Sequence, residues 1–381
     1  GSSTTARVAR NSVAPIILNL FNRGIDFAFA IVMLRLLDQS SVGVYNFAIV
    51  VFVWFDIFTN FGLDAFLIRE VSRIKAQSGY YFLNASVLRV LLAVLGLPLL
   101  LLFLVFWQSG TSEPLPAEGV ITMILLYLGL FPATLSKGMT ALFYAREQAE
   151  KPAAIATITS INKAVFGVIA LLLGWGIVGL AAISIANNVL TLVVLVISGR
   201  KLIGKIQRKR PDRKLLRGMV GESWPLMLNH FLSMIFFQFD IVILQALKGP
   251  VIVAQYSTSY KWLLAVDIIP AFFTQALFPV MSRQAGDDRA AFQRTYQLSV
   301  KLLLALALPV AVGFTVLAEG LTLILAGPAY LPNAAIALQL MIWSIPFGWM
   351  NSVTQYALIA LDLQRYITGA FIGAVSFNIL A

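Results

Sequence analysis

The sequence predicts an all-α polytopic membrane protein with two pseudo-symmetric lobes of six helices each, the second of them incomplete. Three observations predict this class. Of the 381 residues, 59% are hydrophobic and only 12% are charged, whereas a soluble domain carries about 25% charged residues. Apolar segments of membrane-spanning length recur along the whole chain, and its two halves share a residue pattern.

Eleven apolar segments are long enough to cross a membrane, because about twenty residues in a helix span the roughly 30 Å hydrocarbon core. The links between them are short and leave no room for a soluble domain. The chain begins without Met and stops inside an apolar run, so we expect it to be truncated at its C-terminus. The predicted spans lie at about 12–34, 43–67, 82–107, 119–142, 153–174, 177–198, 224–247, 251–280, 296–317, 335–360 and 366 onward.

The basic residues of the short loops alternate between the two sides of the membrane. One set of loops is rich in Lys and Arg, whereas the alternate set holds only Arg35 and Lys248. Because Lys and Arg concentrate in cytoplasmic loops, we expect a cytoplasmic N-terminus in a cell (inner or plasma) membrane. The basic set comprises Arg7 and Arg10; Arg69, Arg73 and Lys75; Arg146 and Lys151; the stretch 200–217; Arg283, Arg289 and Arg294; and Arg365.

Composition excludes several classes of site. The chain has no Cys and a single His, which excludes thiol catalysis and Cys/His metal centres. We expect no catalytic residues, no metal and no cofactor. The net charge of +11 is concentrated in loops, and nine Lys or Arg residues lie in segment 199–218. That segment suits a cytoplasmic linker on an anionic leaflet, with capture of an anionic headgroup or a nucleic acid as the alternative.

The two halves of the chain are related to each other. Residues 31–73 and 241–283 share an ordered set of matches, and six spans per half make the two copies parallel. Parallel repeats occur in transporters, with the substrate site between the halves. We therefore predict an N-terminal lobe at 1–198, a linker at 199–222 and a C-terminal lobe at 223–381. Tyr45, Asp56 and Ala65 match Tyr256, Asp267 and Ala276 at a constant shift of 211.

Three stretches carry a family resemblance. They are LLDQSSVGVYNFAIVVFVWFDIFTNFGLDAFLIREVSR at the second span, FDIVILQALKGPVIVAQYSTSYKWLLAVD at the seventh and eighth, and AGPAYLPNAAIALQLMIWSIPFGWMNSVTQYALIALDLQR around the tenth. The chain resembles the Wzx-type O-antigen and exopolysaccharide flippases of the multidrug/oligosaccharidyl-lipid/polysaccharide (MOP) superfamily. This resemblance implies two lobes in a V, as in the related MATE exporters, and alternating access for a polyprenyl-diphosphate-linked oligosaccharide.

Charged residues inside spans are candidates for function, because each costs at least a few kcal/mol at the bilayer centre. Arg23 lies roughly 18 Å deep at 1.5 Å per residue, and Asp26 shares its helix face. One reading is a self-neutralising pair that locks helices together. The other is an Arg that binds phosphate, with Asp26 holding it or titrating. Similarity to lipid II flippases also indicates Arg23, Asp26 and Lys261.

The remaining intramembrane candidates fall into two groups. For substrate binding we predict Arg23, Lys163, Lys261, Asn187 and Asn188. For ion coupling or orientation we predict Asp26, Asp56, Asp267 and the weaker Asp240, with H⁺ or Na⁺ as the coupling cation. A hydrogen-bonding role that stabilises each lobe stays an equal alternative for Asp56 and Asp267. Arg89 and Lys137 lie nearer the cytoplasmic side, where we expect both to snorkel.

These observations together predict a transporter rather than an enzyme. It would flip a lipid-linked oligosaccharide to the outer leaflet, among membrane lipids and beside a polysaccharide polymerase and assembly proteins, with no nucleic-acid partner. A MATE-like multidrug exporter is the alternative. A membrane glycan polymerase or ligase is a remote one, since the outward loops have about a dozen residues or fewer and carry no cluster of acidic, His or Arg groups.

Overall fold

The predicted all-α class is confirmed. The computed structural model describes residues 2–203 and 211–380, and this part of the chain contains helices and no β-strand. The α-helices are α1 (Ser2–Leu36), α2 (Gln39–Asn60), α3 (Leu63–Arg73), α4 (Ser78–Gly110), α5 (Ala117–Leu128), α6 (Leu130–Ala145), α7 (Glu150–Leu172), α8 (Gly176–Ile203), α9 (Arg213–Lys248), α10 (Pro250–Val266), α11 (Ile268–Asp287), α12 (Arg289–Ala326), α13 (Asn333–Met341), α14 (Ile345–Ala360) and α15 (Gln364–Leu380).

Nine helical segments of the described residues are long and apolar enough to cross a membrane, and they coincide with the first nine predicted spans. The protein is therefore a multi-pass membrane protein. The tenth predicted span forms α13 and α14, joined by a 3-10 turn at Ile342–Ser344, and the eleventh forms α15. The nine segments are Pro15–Leu36, Gln39–Arg73, Lys75–Gly110, Ala117–Ala145, Glu150–Leu172, Gly176–Ile203, Arg213–Lys248, Pro250–Gly286 and Arg289–Ala326.

An aspartate occupies the N-cap position of three helices. The Asp38 carboxylate accepts the Ser41 N–H at 3.0 Å before α2. Asp212 accepts the Lys214 N–H at 2.8 Å before α9, and Asp288 accepts the Ala291 N–H at 2.9 Å before α12. A side-chain oxygen in this position satisfies one of the N–H groups that the first turn leaves unpaired.

The second span is broken where the chain enters left-handed backbone. Phe61 has φ 52° and Gly62 has φ 74°, so α2 ends before these two residues and α3 begins after them. Glycine suits this position because it adopts positive φ at little cost. The break places Asn60 at the end of α2 and Asp64 in the first turn of α3.

The described chain forms two compact units. The first comprises Gly1–Met234 and Gln238–Pro250, and the second comprises Ile235–Phe237 and Val251–Ala381. In the first unit, α7 packs on α1 and α8, and α8 also contacts α5 and α6. In the second unit, α14 packs on α11, α12 and α15. The predicted lobe boundaries stay a prediction, and residues 204–210 of the predicted linker lie outside the described residues.

Candidate functional site

A cavity of about 130 Å³ lies inside the first unit, between α2, the α5–α6 junction, α7 and α8. It brings together three of the predicted substrate-binding residues from two different helices: Lys163, Asn187 and Asn188. Lys163 is the one charged residue of this lining, so the cavity has positive character. The complete lining is Ile49, Phe52, Leu126, Gly129, Lys163, Ser184, Ile185, Asn187 and Asn188.

The polar groups of this cavity are unequally satisfied. The Asn188 Nδ2 donates to the Gly129 carbonyl oxygen at 3.1 Å, which ties α8 to the α5–α6 junction. The Asn187 Oδ1 is buried and has no hydrogen-bond partner among the described residues. Lys163 forms no ion pair within the same part of the chain. The cavity lining thus contains a buried amide oxygen without a hydrogen-bond partner and an ammonium group without a counterion among the described residues.

Arg23 and Asp26 are exposed on α1, and the structure does not join them in an ion pair within the described residues. The self-neutralising pair is therefore not formed. The α1 helix packs on α7, where a Cβ atom on Gly167 would lie 2.7 Å from Phe29. Arg23 lies six residues before Phe29, and Lys163 lies four residues before Gly167. At a rise of 1.5 Å per residue, the depths of Arg23 and Lys163 therefore differ by about 3 Å.

Asp56 and Lys137 form an ion pair, with the Lys137 Nζ 2.5 Å from the Asp56 Oδ2. The expectation that Lys137 snorkels is wrong, because a carboxylate from α2 reaches it within the first unit. Asp56 follows the cavity-lining Phe52 by one helical turn. The side chains of Lys137 and Asp56 are 38% and 17% exposed, so the ion pair is not sealed from its surroundings.

Arg89 does not snorkel either, because its side chain is completely buried. Its Nη2 donates to the Asp64 Oδ1 at 2.5 Å and to the Asn60 Oδ1 at 3.0 Å. The Asn60 Nδ2 in turn donates to the Asp64 Oδ2 at 2.9 Å. The break between α2 and α3 supplies both acceptors. Asp64 was missed as a partner although it lies inside the predicted second span.

In the second unit, the Asp267 Oδ1 accepts a hydrogen bond from the Trp349 Nε1 at 3.1 Å. Lys261 is half-buried in α10. Asp240 is half-buried in α9, which is assigned at that position to the first unit. The structure thus brings Lys163, Asn187 and Asn188 together, and it does not assign Lys261 or Asp240 to their cavity. The roles of all predicted site residues stay predictions.

Solved structures with the same fold are membrane transporters. A multidrug resistance MATE family transporter of the MOP superfamily, in an inward-facing conformation, is 14% identical with a TM-score of 0.73, covering 95% of this chain and 87% of its own. The lipid II flippase MurJ, in an inward closed conformation, is 15% identical with a TM-score of 0.75. The match covers 96% of this chain and 78% of the MurJ chain. A MOP superfamily transporter from Pyrococcus furiosus is 14% identical with a TM-score of 0.66. The match covers 97% of this chain and 84% of the transporter chain.

The fold is therefore that of the MOP superfamily of transporters, as the sequence resemblance predicted. Residues 8–284 match the family described as "Polysaccharide biosynthesis protein", and residues 225–381 match the MatE family. The chain belongs to the polysaccharide biosynthesis protein family of this superfamily. No curated protein matches the chain.

Proposed function

We propose that the protein flips a polyprenyl-diphosphate-linked oligosaccharide from the cytoplasmic to the outer leaflet of the cell membrane, with its N-terminus in the cytoplasm. The observation that carries this proposal is the cavity of the first unit, where the Lys163 ammonium and the unpartnered Asn187 Oδ1 line one space. Membership in the polysaccharide biosynthesis protein family supports the same substrate class. A lipid II flippase also shares the fold.

The chemistry of the cavity suits a glycan headgroup. An ammonium group with no acidic partner attracts phosphate or carboxylate oxygens. Side-chain amides both donate and accept hydrogen bonds, as sugar hydroxyls require. The cavity, of about 130 Å³, is small. The cavity therefore takes one phosphate or part of one sugar, while the polyprenyl chain stays in lipid.

Arg23 extends the cationic region of the first unit. It is exposed on α1 at nearly the depth of Lys163, and a guanidinium fork binds phosphate oxygens in a bidentate manner. A membrane potential negative inside would help move an anionic headgroup outward by about 2.3 kcal/mol per charge per 100 mV. Lys261 of the second unit is retained in this proposal as a second cationic contact.

A coupling cation, H⁺ or Na⁺, is assigned to Asp26 rather than to Asp56. The carboxylate of Asp26 is exposed and forms no ion pair within the described chain, whereas Lys137 already neutralises Asp56. A cation therefore gains more at Asp26, whose carboxylate is not already held in an ion pair within the described chain. Asp267 and Asp240 are weaker candidates, and a polymerase and assembly proteins remain proposed partners.

The MatE match over residues 225–381 favours a multidrug exporter as the second candidate. Cationic drugs call for an acidic or aromatic cavity. Because Lys163 is the charged residue of the described cavity, an anionic cargo fits better. A glycan polymerase or ligase is less well supported, since the similar solved structures are transporters.

The test is flipping of a fluorescent lipid-linked oligosaccharide by the full chain in proteoliposomes. Lys163→Gln removes the charge at similar size, and we expect its rate to fall about ten-fold, the effect of one charge-assisted hydrogen bond. Lys151→Gln is the matched control, because Lys151 is exposed at the start of α7, outside the cavity lining, where its ammonium donates to Gln148 and lies 5.9 Å from the centre of the Phe143 ring. Unchanged flipping by Lys163→Gln would remove the cationic site, and efflux of cationic drugs instead would favour the alternative.

A further inference from the structure

Each unit links a carboxylate on one helix to a donor on another, and the two donors differ. In the first unit Asp56 of α2 pairs with Lys137 of α6. In the second unit Asp267, which follows α10, accepts from Trp349 of α14. The two carboxylates are equivalent in the internal repeat, with a shift of 211 residues. The donors occupy adjacent turns of corresponding helices.

The two donor helices, α6 and α14, occupy corresponding places in the repeat because they end in the same way. A residue with positive φ terminates each of them, Glu147 with φ 57° and Asp362 with φ 58°. Lys137 lies ten residues before Glu147, and Trp349 lies thirteen residues before Asp362. The difference of three residues is about one helical turn. The same cross-link is therefore made once with a cation and once with a neutral indole.

The exposure of the two donors also differs. Trp349 is completely buried in the core of the second unit, whereas the Lys137 side chain is 38% exposed. The Trp349 donor is therefore sealed in a core, whereas the charged donor on Asp56 can be reached by a ligand. An ammonium has three donors, and Asp56 occupies one of them, so two are left for another acceptor.

A second positive charge still interacts with the Asp56 carboxylate when its ion pair with Lys137 opens. Arg89 of α4 interacts electrostatically with Asp56, and its Nε and Nη1 are buried without an acceptor in the described residues. The Arg89 guanidinium thus keeps a positive charge within electrostatic range of the carboxylate when the ammonium turns away. Arg89 itself is held by Asp64 and Asn60, so it is not free to follow.

We propose that Asp56–Lys137 is an exchangeable ion pair, in which a phosphate oxygen of the cargo replaces Asp56 as the partner of Lys137. This inference rests on the proposed function, since the phosphate is that of the polyprenyl diphosphate. Asp56 is then an internal competitor that occupies Lys137 in the empty protein and displaces the phosphate at release. The pair follows the Lys163 cavity by one turn of α2, so it would hold the diphosphate while the cavity holds the adjoining group.

Competition makes a prediction that a structural cross-link does not. The test is binding of sugar-free polyprenyl diphosphate to the full chain in lipid nanodiscs, followed by tryptophan fluorescence. Asp56→Asn should tighten binding about three- to ten-fold, because the competitor loses its charge. Lys137→Gln should weaken binding about ten-fold. Lys137→Arg, which keeps the charge, should bind within about three-fold of the native chain, and Lys151→Gln is the control for general loss of charge.

The outcomes separate the possibilities. Unchanged or weaker binding by a folded Asp56→Asn variant, with a native thermal midpoint, overturns the exchange. Tightening seen with phosphatidylglycerol vesicles but not with polyprenyl diphosphate overturns the cargo assignment in favour of a lipid headgroup. If the native chain flips the glycolipid while both variants bind the diphosphate normally, the exchange fails and the proposed function stands. If binding changes as expected but no glycolipid is flipped, the exchange stands and the proposed function fails.

Discussion

The guanidinium of Arg89 lies directly against Gly138, so closely that a Cβ atom on Gly138 would be 2.4 Å from the Arg89 Nη1. Gly138 follows Lys137 on α6, so this contact fixes the position from which Lys137 reaches Asp56. The absence of a side chain at residue 138 is thus a requirement of the buried guanidinium rather than of the local backbone conformation.

Gly138→Ala should destabilise the protein by about 1–3 kcal/mol, because the new methyl group must displace a buried side chain that two hydrogen bonds hold. Thermal unfolding in detergent micelles measures the effect. Gly221→Ala is the matched control, since residue 221 is an exposed helical position with no atom within 4 Å of the added Cβ. It should be neutral or stabilising by up to about 1 kcal/mol. Equal effects at both positions would contradict the proposed contact.

Removal of Asp64 should cost more than removal of Arg89. Asp64→Leu leaves the completely buried guanidinium without its counterion, which costs about 3–5 kcal/mol. Arg89→Met leaves a carboxylate that is 35% exposed and still accepts from Asn60, so its cost is smaller. Unfolding free energies of the two variants in mixed micelles give the comparison. The reverse order would mean that Arg89 finds another acceptor.

Two adjacent asparagines should behave differently. Asn187→Ala removes an oxygen that has no partner in the described chain, so stability should change little while cargo affinity falls. Asn188→Ala removes the donor to the Gly129 carbonyl, which should cost about 1 kcal/mol of stability. Thermal midpoints and binding of the lipid-linked oligosaccharide distinguish the two. A loss of stability at Asn187 with native binding would refute its assignment to the ligand.

The start of α9 should loosen in acid. The Tyr80 hydroxyl donates to Asp212 at 2.7 Å, and together with the backbone N–H groups of Lys214 and Leu215 it lowers the pKa of Asp212 below its ordinary value of 3.8. A carboxyl with a lowered folded-state pKa contributes stability that is fully present above its ordinary pKa and is lost as the pH falls through the lower one.

Hydrogen exchange of the amides in the first turn of α9 measures this effect. Protection should be constant at neutral and mildly acidic pH, and it should decline once the pH is below 3.8. In Asp212→Asn the decline should disappear, because the titrating group is gone. A decline that persists in this variant would assign the acid sensitivity to another carboxyl.

Hydropathy and loop charges sufficed to predict the first nine spans. Their helices must satisfy every backbone group internally, so an apolar stretch of the right length has no alternative structure in a membrane. The division of the tenth span was harder to predict. Pro346 lies in the first turn of α14, where its missing N–H is tolerated, but the same residue is also compatible with a kink in one continuous helix.

The site was predictable only in part. Depth along a helix identified Lys163, Asn187 and Asn188, but their convergence depends on how α7 and α8 pack against α2 and α5. The same limit explains the error for Arg89 and Lys137. Both were judged by their distance from the cytoplasmic end, whereas their positions are determined by carboxylates from other helices. A single sequence contains no information on which helix faces which.

The hydrogen bond from Trp349 to Asp267 also makes the protein its own optical probe. Indole emission responds to the electric field along the ring, and here the carboxylate lies at the Nε1 end of a ring that no solvent reaches. In a variant that keeps Trp349 and carries Phe at the other tryptophans, a change of emission wavelength during turnover would report neutralisation of Asp267 directly. The second unit thus offers a label-free view of the charge on this carboxylate.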